Sequence, residues 1–409
     1  MNHITANAAQ TFLSLTVILI ACKACGFIIK LFGQPPVVGE MVAGVLLGPS
    51  LLGALSPNLA HGLFPVDSRP ILYAIAQIGL TLYMFVVGIE FRSDLLKNNL
   101  RTAAGVSIAG ILVAFALGCI LAWWFLKIGG FFVASTPLSL GMLFIGAAMS
   151  ITAFPMLARI ILENGLTGTR AGTIALAAGS LDDAIAWILL AGVLGGISGK
   201  PILFIAALGG GIIYTLICML VVRPLLHRVN LVWKDEAGML GLIAVLVCIG
   251  GWFTDLIGLY SVFGAFIMGL AIPRGTLAEK VAERIGPLTT ALLLPVFFTY
   301  SGLNTKIGLL NSLTLWLICG LIILAAIAGK LLACYAAGRL SGENHSDSLT
   351  IATLMNARGL MELILLNIGF QAGLITQTLF TIFVLMAVVT TLMAAPGFNA
   401  SKRLVSDNY

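Results

Sequence analysis

The sequence predicts an all-α polytopic membrane protein with about thirteen transmembrane helices. Three observations carry that prediction. Hydrophobic residues make up 60% of the 409 and charged residues 9%, with a mean hydropathy of +1.09, whereas a soluble domain carries about 25% charged residues. Apolar runs near the ~20 residues needed to cross a bilayer follow one another almost without gap. Lysine and arginine fall very unevenly on the two sides of those runs, as the positive-inside rule requires of real spans.

Taken in order, the runs lie at about 11–31, 36–54, 70–91, 102–126, 138–162, 171–197, 201–226, 237–256, 258–273, 288–304, 312–338, 348–370 and 376–396. The opening "MNHITANAAQ" lacks the basic region and cleavage site of a secretory signal, so the first run is kept as a span. If every run crosses, one side collects Lys30, Arg92, Lys97, Arg101, Arg159, Arg170, Arg223, Arg228, Lys234, Arg274, Lys280, Arg284, Arg339, Lys402 and Arg403. The other side collects Arg69, Lys127, Lys200 and Lys306. The expected topology has the N-terminus outside and the C-terminus in the cytoplasm. Between the ninth and tenth runs, "TLAEKVAERIGPLTT" groups Leu277, Val281, Ile285 and Leu288 on one face and Glu279, Lys280, Glu283 and Arg284 on the other. It reads as a helix lying on the cytoplasmic surface.

Several function classes are disfavoured. The net charge of +6 comes from basic residues scattered through short loops, which argues against a nucleic-acid partner. All seven cysteines, Cys22, Cys25, Cys119, Cys218, Cys248, Cys319 and Cys334, sit in apolar runs and read as packing residues; the lone Cys22/Cys25 pair has no second pair to complete a zinc site. No phosphate-binding loop of the Walker type occurs, since Gly209, Gly210 and Gly211 lie inside a span without the lysine. No linker is long enough for a soluble domain, so residues 1–409 are expected to form a single membrane domain without a soluble regulatory part, not an enzyme. No cofactor is expected. Transport driven by an ion gradient is the leading class.

Charges inside spans point to the site, because one near the bilayer centre costs at least ~2.5 kcal/mol. The deeply placed candidates are Lys23, Glu40, Asp182, Asp183, Lys330, Arg358 and Glu362. Asp182 and Asp183 are adjacent on one helix and point about 100° apart, so they serve different neighbours. Two ionised carboxylates this close repel unless a cation lies near, and Lys330, isolated in "AAIAGKLLACY", is the obvious partner. Arg358 and Glu362 are spaced to pair along one helix, either as part of the site or as a brace.

Two spans are interrupted. In the fifth, "SITAFP" places Ser150, Thr152 and Pro155 at a break, and in the twelfth "MNARG" (355–359) does the same. They lie seven spans apart, as do the fourth and the eleventh. An odd offset inverts the second copy, giving inverted repeats over about 11–197 and 237–396 with 201–226 as linker, and a site near the midplane. Unwound carbonyls suit a cation, and Asp183 beside the break tips the choice that way.

The segments "GQPPVVGEMVAGVLLGPSLLG" (33–53), "SITAFPMLARIIL" (150–162), "SLDDAIAWILL" (180–190), "FGAFIMGLAIPR" (263–274) and "MNARGLMELILLNIG" (355–369) together resemble the second branch of the monovalent cation:proton antiporters. That family includes bacterial sodium/proton antiporters, Kef-type potassium antiporters and plant cation/proton exchangers. The resemblance implies crossed, broken helices five and twelve, a core domain moving against a dimerisation domain, and a homodimer. It implies that Asp183 binds cation and protons in alternation, that Asp182 pairs with Lys330, and that Thr152 and Ser150 neighbour the ion, with Asn356, Arg358, Glu362 and Glu40 in support. The chain differs from Kef-type members in lacking a nucleotide-binding domain, and Tyr260 stands where many relatives have histidine.

The expected activity is exchange of a monovalent cation, sodium with potassium as the alternative, for protons across a bacterial-type cytoplasmic membrane. If Lys330 gives up a proton when the cation enters, two protons cross per cation and the cycle is electrogenic. A potassium exchanger would instead be electroneutral, and a cation channel would conduct without proton countermovement. Salt tolerance and pH homeostasis are the roles such exchange serves.

Overall fold

A computed structural model describes residues 3–91, 94–166, 168–199, 201–232 and 235–406. Arg92, Lys200 and Lys234 of the charge pattern lie outside the described residues, as do the side chains of Lys97, Pro155, Lys402 and Arg403. In chain order the helices are α1 (His3–Leu31), α2 (Pro36–Leu47), α3 (Leu52–Leu55), α4 (Pro57–Leu63), α5 (Arg69–Glu90), α6 (Asp94–Ile128), α7 (Leu138–Ser150), α8 (Phe154–Glu163), α9 (Arg170–Ile197) and α10 (Pro201–Ile217). There follow α11 (Arg223–Val232), α12 (Glu236–Leu256), α13 (Ser261–Ala271), α14 (Thr276–Leu288), α15 (Leu294–Leu303), α16 (Leu313–Leu340), α17 (His345–Leu354), α18 (Leu360–Gln371) and α19 (Gln377–Ser406). Among the described residues nine helical stretches are long and apolar enough to cross a membrane. The other four expected spans contain the shorter apolar helices Leu138–Ser150, Ser261–Ala271, Leu360–Gln371 and Gln377–Met393. The protein is a multi-pass, all-helical membrane protein.

Helix starts follow local chemistry. Pro36 and Pro70 stand in the first turns of α2 and α5, where a missing N–H costs nothing. Asp235 caps α12 by accepting from the Ala237 and Gly238 amides, Ser312 accepts from Leu315, and Asn344 caps α17 by accepting from Asp347. The surface-helix expectation changes in one respect. α14 buries Leu277 and Val281 and leaves Glu279, Lys280, Glu283 and Arg284 exposed as expected, but Leu288 is exposed too, and the helix runs on through a π turn (Thr289–Leu293) into α15.

The chain divides into two compact units, each drawing on both sequence halves. Unit 1 comprises Met1–Leu19, His61–Arg92 and Leu190–Tyr300. Within it α5 and α13 approach so closely that a Cβ on Gly88 would overlap the Phe266 carbonyl and one on Gly269 the Phe85 carbonyl. Small residues are how membrane helices gain contact where burial from water supplies no driving force. Tyr260, the residue at the expected histidine position, donates to Gln77 Oε1 at 2.7 Å in this unit.

Unit 2 comprises Ile20–Ala60, Ser93–Leu189 and Ser301–Tyr409, and holds every residue singled out for the site. Gly118 of α6 and Gly146 of α7 meet without room for a side chain. Buried apolar residues from five helices, among them Val106, Leu157, Ile174, Cys334 and Ile351, pack into one core. Beyond the outer ends of the two broken helices, the loops pair through Val133 N–H to Leu374 O (3.2 Å) and Thr376 N–H to Phe131 O (3.0 Å). All seven cysteines are free.

Candidate ion-binding site

The breaks expected at 150–155 and 355–359 are both present. α7 ends at Ser150 and α8 restarts at Phe154; α17 ends at Leu354 and α18 restarts at Leu360. The two connecting segments meet, with Ala153 N–H donating to Ala357 O at 3.0 Å. Gly359 has φ +144° and ψ −104°, a conformation that only glycine enters without strain. The second break therefore depends on that residue type. Four half-helix ends are brought into one buried place, two of them C-terminal with orphan carbonyls and two N-terminal with orphan amides.

Asp182 and Asp183, each 1% exposed, have unlike surroundings there. Asp182 Oδ1 accepts from Ser107 Oγ at 2.6 Å, and its Oδ2 accepts from Thr152 Oγ1 and from Lys330 Nζ, both at 2.7 Å. Lys330 is fully buried and also donates to the Ser150 carbonyl, a C-terminal carbonyl of α7. Both oxygens of Asp182 are thereby engaged. Asp183 faces the Phe154 amide that opens α8, but neither of its oxygens completes a hydrogen bond. It is the acid available to a ligand.

The hydroxyls expected beside the ion are engaged elsewhere. Thr152 Oγ1, with one proton to give, lies within reach of both Asp182 and the Met355 carbonyl (3.0 Å). Ser150 Oγ donates back to Ala147 O in its own helix. The helical pairing of Arg358 with Glu362 is not formed, because Arg358 precedes α18 and lies in the segment that joins it to α17. Its guanidinium donates to Ala148 O (3.0 Å) and Met149 O (2.6 Å), so that Arg358 and Lys330 together cap the end of α7. Thr391 of α19 holds the Arg358 backbone through bonds to its N–H and carbonyl. Glu362 is fully buried with neither oxygen hydrogen-bonded, and Asn356 Oδ1 is likewise without a donor.

Two of the deep charges stand apart. Glu40, on α2, is half-buried and has Arg159 and Lys23 as its nearest charges. Lys23, on α1, is exposed on the surface of the chain. Sequence reasoning missed Ser107. A serine in an apolar run carries little signal, and only the pairing of the fourth span with the eleventh hinted that α6 would face Lys330. Among the described residues no three His, Cys, Asp or Glu side chains converge as for a resident metal, and the Asp183 carboxylate beside main-chain dipoles suits a weakly held, exchangeable monovalent ion.

Residues 14–399 match the model of the transmembrane sodium/hydrogen exchanger family. The chain is 39% identical over 394 residues to the Na(+)/H(+) antiporter NhaS4 of Synechocystis, covering 94% of this chain and 95% of that one. It is 32% identical to K(+)/H(+) antiporter 1 of Saccharomyces cerevisiae, matching 93% of this chain but 45% of the longer yeast protein. The fold is similar to that of the sodium proton antiporter MjNhaP1 from Methanocaldococcus jannaschii, with a TM-score of 0.67, 97% of each chain covered and 17% identity. With the family match running over nearly the whole length and a full-length relative well above 30% identity, this chain belongs to the sodium/hydrogen exchanger family.

Proposed function

We propose that the protein is a secondary antiporter exchanging a monovalent cation, sodium first, for protons by alternating access. The observation that carries this is the contrast between neighbours: Asp182 is held by Ser107, Thr152 and Lys330, while Asp183, equally buried, has no side-chain partner. A buried carboxylate without a partner is costly when ionised and empty. Either a dehydrated cation or a proton relieves that cost, and only one of them occupies the site at a time. Competition for Asp183 is what couples the two fluxes.

The NhaS4 relative supports sodium as the first reading. Potassium is the second reading, supported by the K(+)/H(+) antiporter of yeast and by the resemblance of "MNARGLMELI" to potassium-accepting exchangers. The two breaks support inverted repeats over about 11–197 and 237–396. The charge pattern supports a cytoplasmic C-terminus in a cell membrane. A homodimer fits the family resemblance, and α1 offers a long exposed apolar surface including Phe12, Ile20, Phe27 and Leu31.

The experiment is proton flux in proteoliposomes loaded with a pH-sensitive dye and titrated with sodium, lithium, potassium and rubidium, with the membrane potential clamped or free. Flux driven by sodium and lithium supports the sodium reading, and equal response to potassium and rubidium supports the potassium one. Folded protein that moves no protons in answer to any of the four is not an antiporter of this kind.

A further inference from the structure

We propose that Glu362 is a second proton-binding carboxylate of the transport cycle, loaded and unloaded together with Asp183. The inference rests on the exchange reading above and deepens it. Glu362 lies in the first turn of α18, fully buried, with both carboxylate oxygens lacking a hydrogen-bond partner. Its one charged neighbour is Arg358, whose Nη groups are committed to the end of α7. Of the helices packed on α18, α7 carries no ionisable side chain, nor does α19 over its described side chains, Gln377–Met393; α15, joined to α18 where Asn367 donates to Ser301, carries Tyr300. Two turns on from Glu362, Gly369 abuts the Phe144 ring of α7. A seven-residue spacing puts both residues on one face, so Glu362 looks toward α7, whose end Lys330 and Arg358 cap.

Arg358 interacts electrostatically with both Glu362 and Asp182, which links three buried carboxylates, Asp182, Asp183 and Glu362, with two buried cations, Lys330 and Arg358. With all ionised, one negative charge is left, and one cation on Asp183 neutralises it. In the proton-loaded form a proton on Asp183 does the same, and a second on Glu362 leaves the set positive by one. A cycle between these two forms moves two protons one way, one cation the other, and one net charge. Each proton adds to a carboxylate oxygen on one side of the membrane and leaves it on the other. A cation arriving on Asp183 displaces its proton directly and, by adding positive charge to the set linked through Asp182 and Arg358, drives off the one on Glu362.

Lys330 is the less suitable second carrier. Its ammonium donates to Asp182 and to the Ser150 carbonyl, and losing its proton would strand a buried carboxylate. Protonating Glu362 breaks no hydrogen bond.

The test measures the reversal potential of exchange in proteoliposomes for the wild type and Glu362→Gln. Two protons per cation in the wild type, falling to one in a variant that still exchanges but no longer responds to membrane potential, is the expected result. An electroneutral wild type, or an unchanged ratio in Glu362→Gln, overturns the assignment. Wild type with no cation-dependent proton flux overturns the exchange reading itself, a separate result. A second measurement needs no variant: infrared difference spectra on adding the driving cation should show two protonated-carboxyl bands disappearing, one of them shifted by isotopic labelling of glutamate. Loss of a single band, unshifted by that label, overturns the proposal.

Discussion

Lys330 Nζ lies 2.7 Å from Asp182 Oδ2, both side chains having no exposure, and the same ammonium hydrogen-bonds the Ser150 carbonyl. One lysine thus ties α16 to α9 and to the end of α7. Removing it leaves a buried carboxylate and a helix C-terminus short of a donor, and breaking one side of such a pair costs about 3–5 kcal/mol. Lys330→Ala should lower the unfolding temperature of the purified protein in detergent. Adding Asp182→Asn to Lys330→Met should recover part of the loss; if the double variant is no better than Lys330→Ala, the pair is not what stabilises this region.

Asp183→Asn removes the carboxylate that has no side-chain partner to lose. The variant should retain the thermal stability of the wild type while cation-driven proton flux disappears. Retained flux would move the site away from Asp183, and a collapse in stability would show the side chain to be structural.

Competition at one carboxylate has a signature in pH. As pH falls, protons occupy Asp183 in a larger share of molecules, so the concentration of cation needed for half-maximal flux should rise while the maximal rate at saturating cation holds. The sign follows from the proton binding the same oxygens as the cation. A series of flux titrations at stepped pH checks it, and a fall in maximal rate with an unmoved half-saturation point would place the proton elsewhere.

Ser107 Oγ donates to Asp182 Oδ1 at 2.6 Å inside the core. A hydrogen bond to a buried charge is worth about 1.5–3 kcal/mol, so Ser107→Ala should destabilise by that order. In the Asp182→Asn background the effect should shrink, which a double-mutant cycle measures. Additive effects would mean the two side chains do not act through one another.

Gly359 holds φ +144° in the segment that opens α18. Nothing crowds its Cβ position closer than 3.5 Å, so Gly359→Ala isolates backbone strain from packing. A loss of about 1–3 kcal/mol is expected, together with reduced exchange, because the same segment sets Arg358 against α7. Stability and flux assays on one preparation test both.

Much of the architecture was legible from the sequence for a physical reason: in a bilayer every backbone polar group must be satisfied within the chain. Apolar length therefore reports a helix directly, and the breaks at "SITAFP" and "MNARG" stand out against it. The burial of Asp182 and Asp183, the reach of Lys330 toward Asp182 and the equal offset of the two interrupted spans were all accessible this way, since a charge within an apolar run is too expensive to be incidental. Arg358 and Glu362 were not. Their spacing suggested a pair on one helix, but the helix begins after Arg358, and a four-residue rule applies only where both residues are helical.

What the sequence by itself determined is which stretches form spans, where two of them break and which acid pair and lysine lie inside, because polarity and span length settle that locally. Which acid is engaged by side chains and which is not was decided by the tertiary structure. Ser107 of α6, Thr152 of the first break and Lys330 of α16 are far apart in the chain and converge on Asp182, leaving Asp183 without a side-chain partner. Hydrogen bonds act over about 3 Å, and no spacing in sequence specifies which of two adjacent carboxylates a crossing helix will meet.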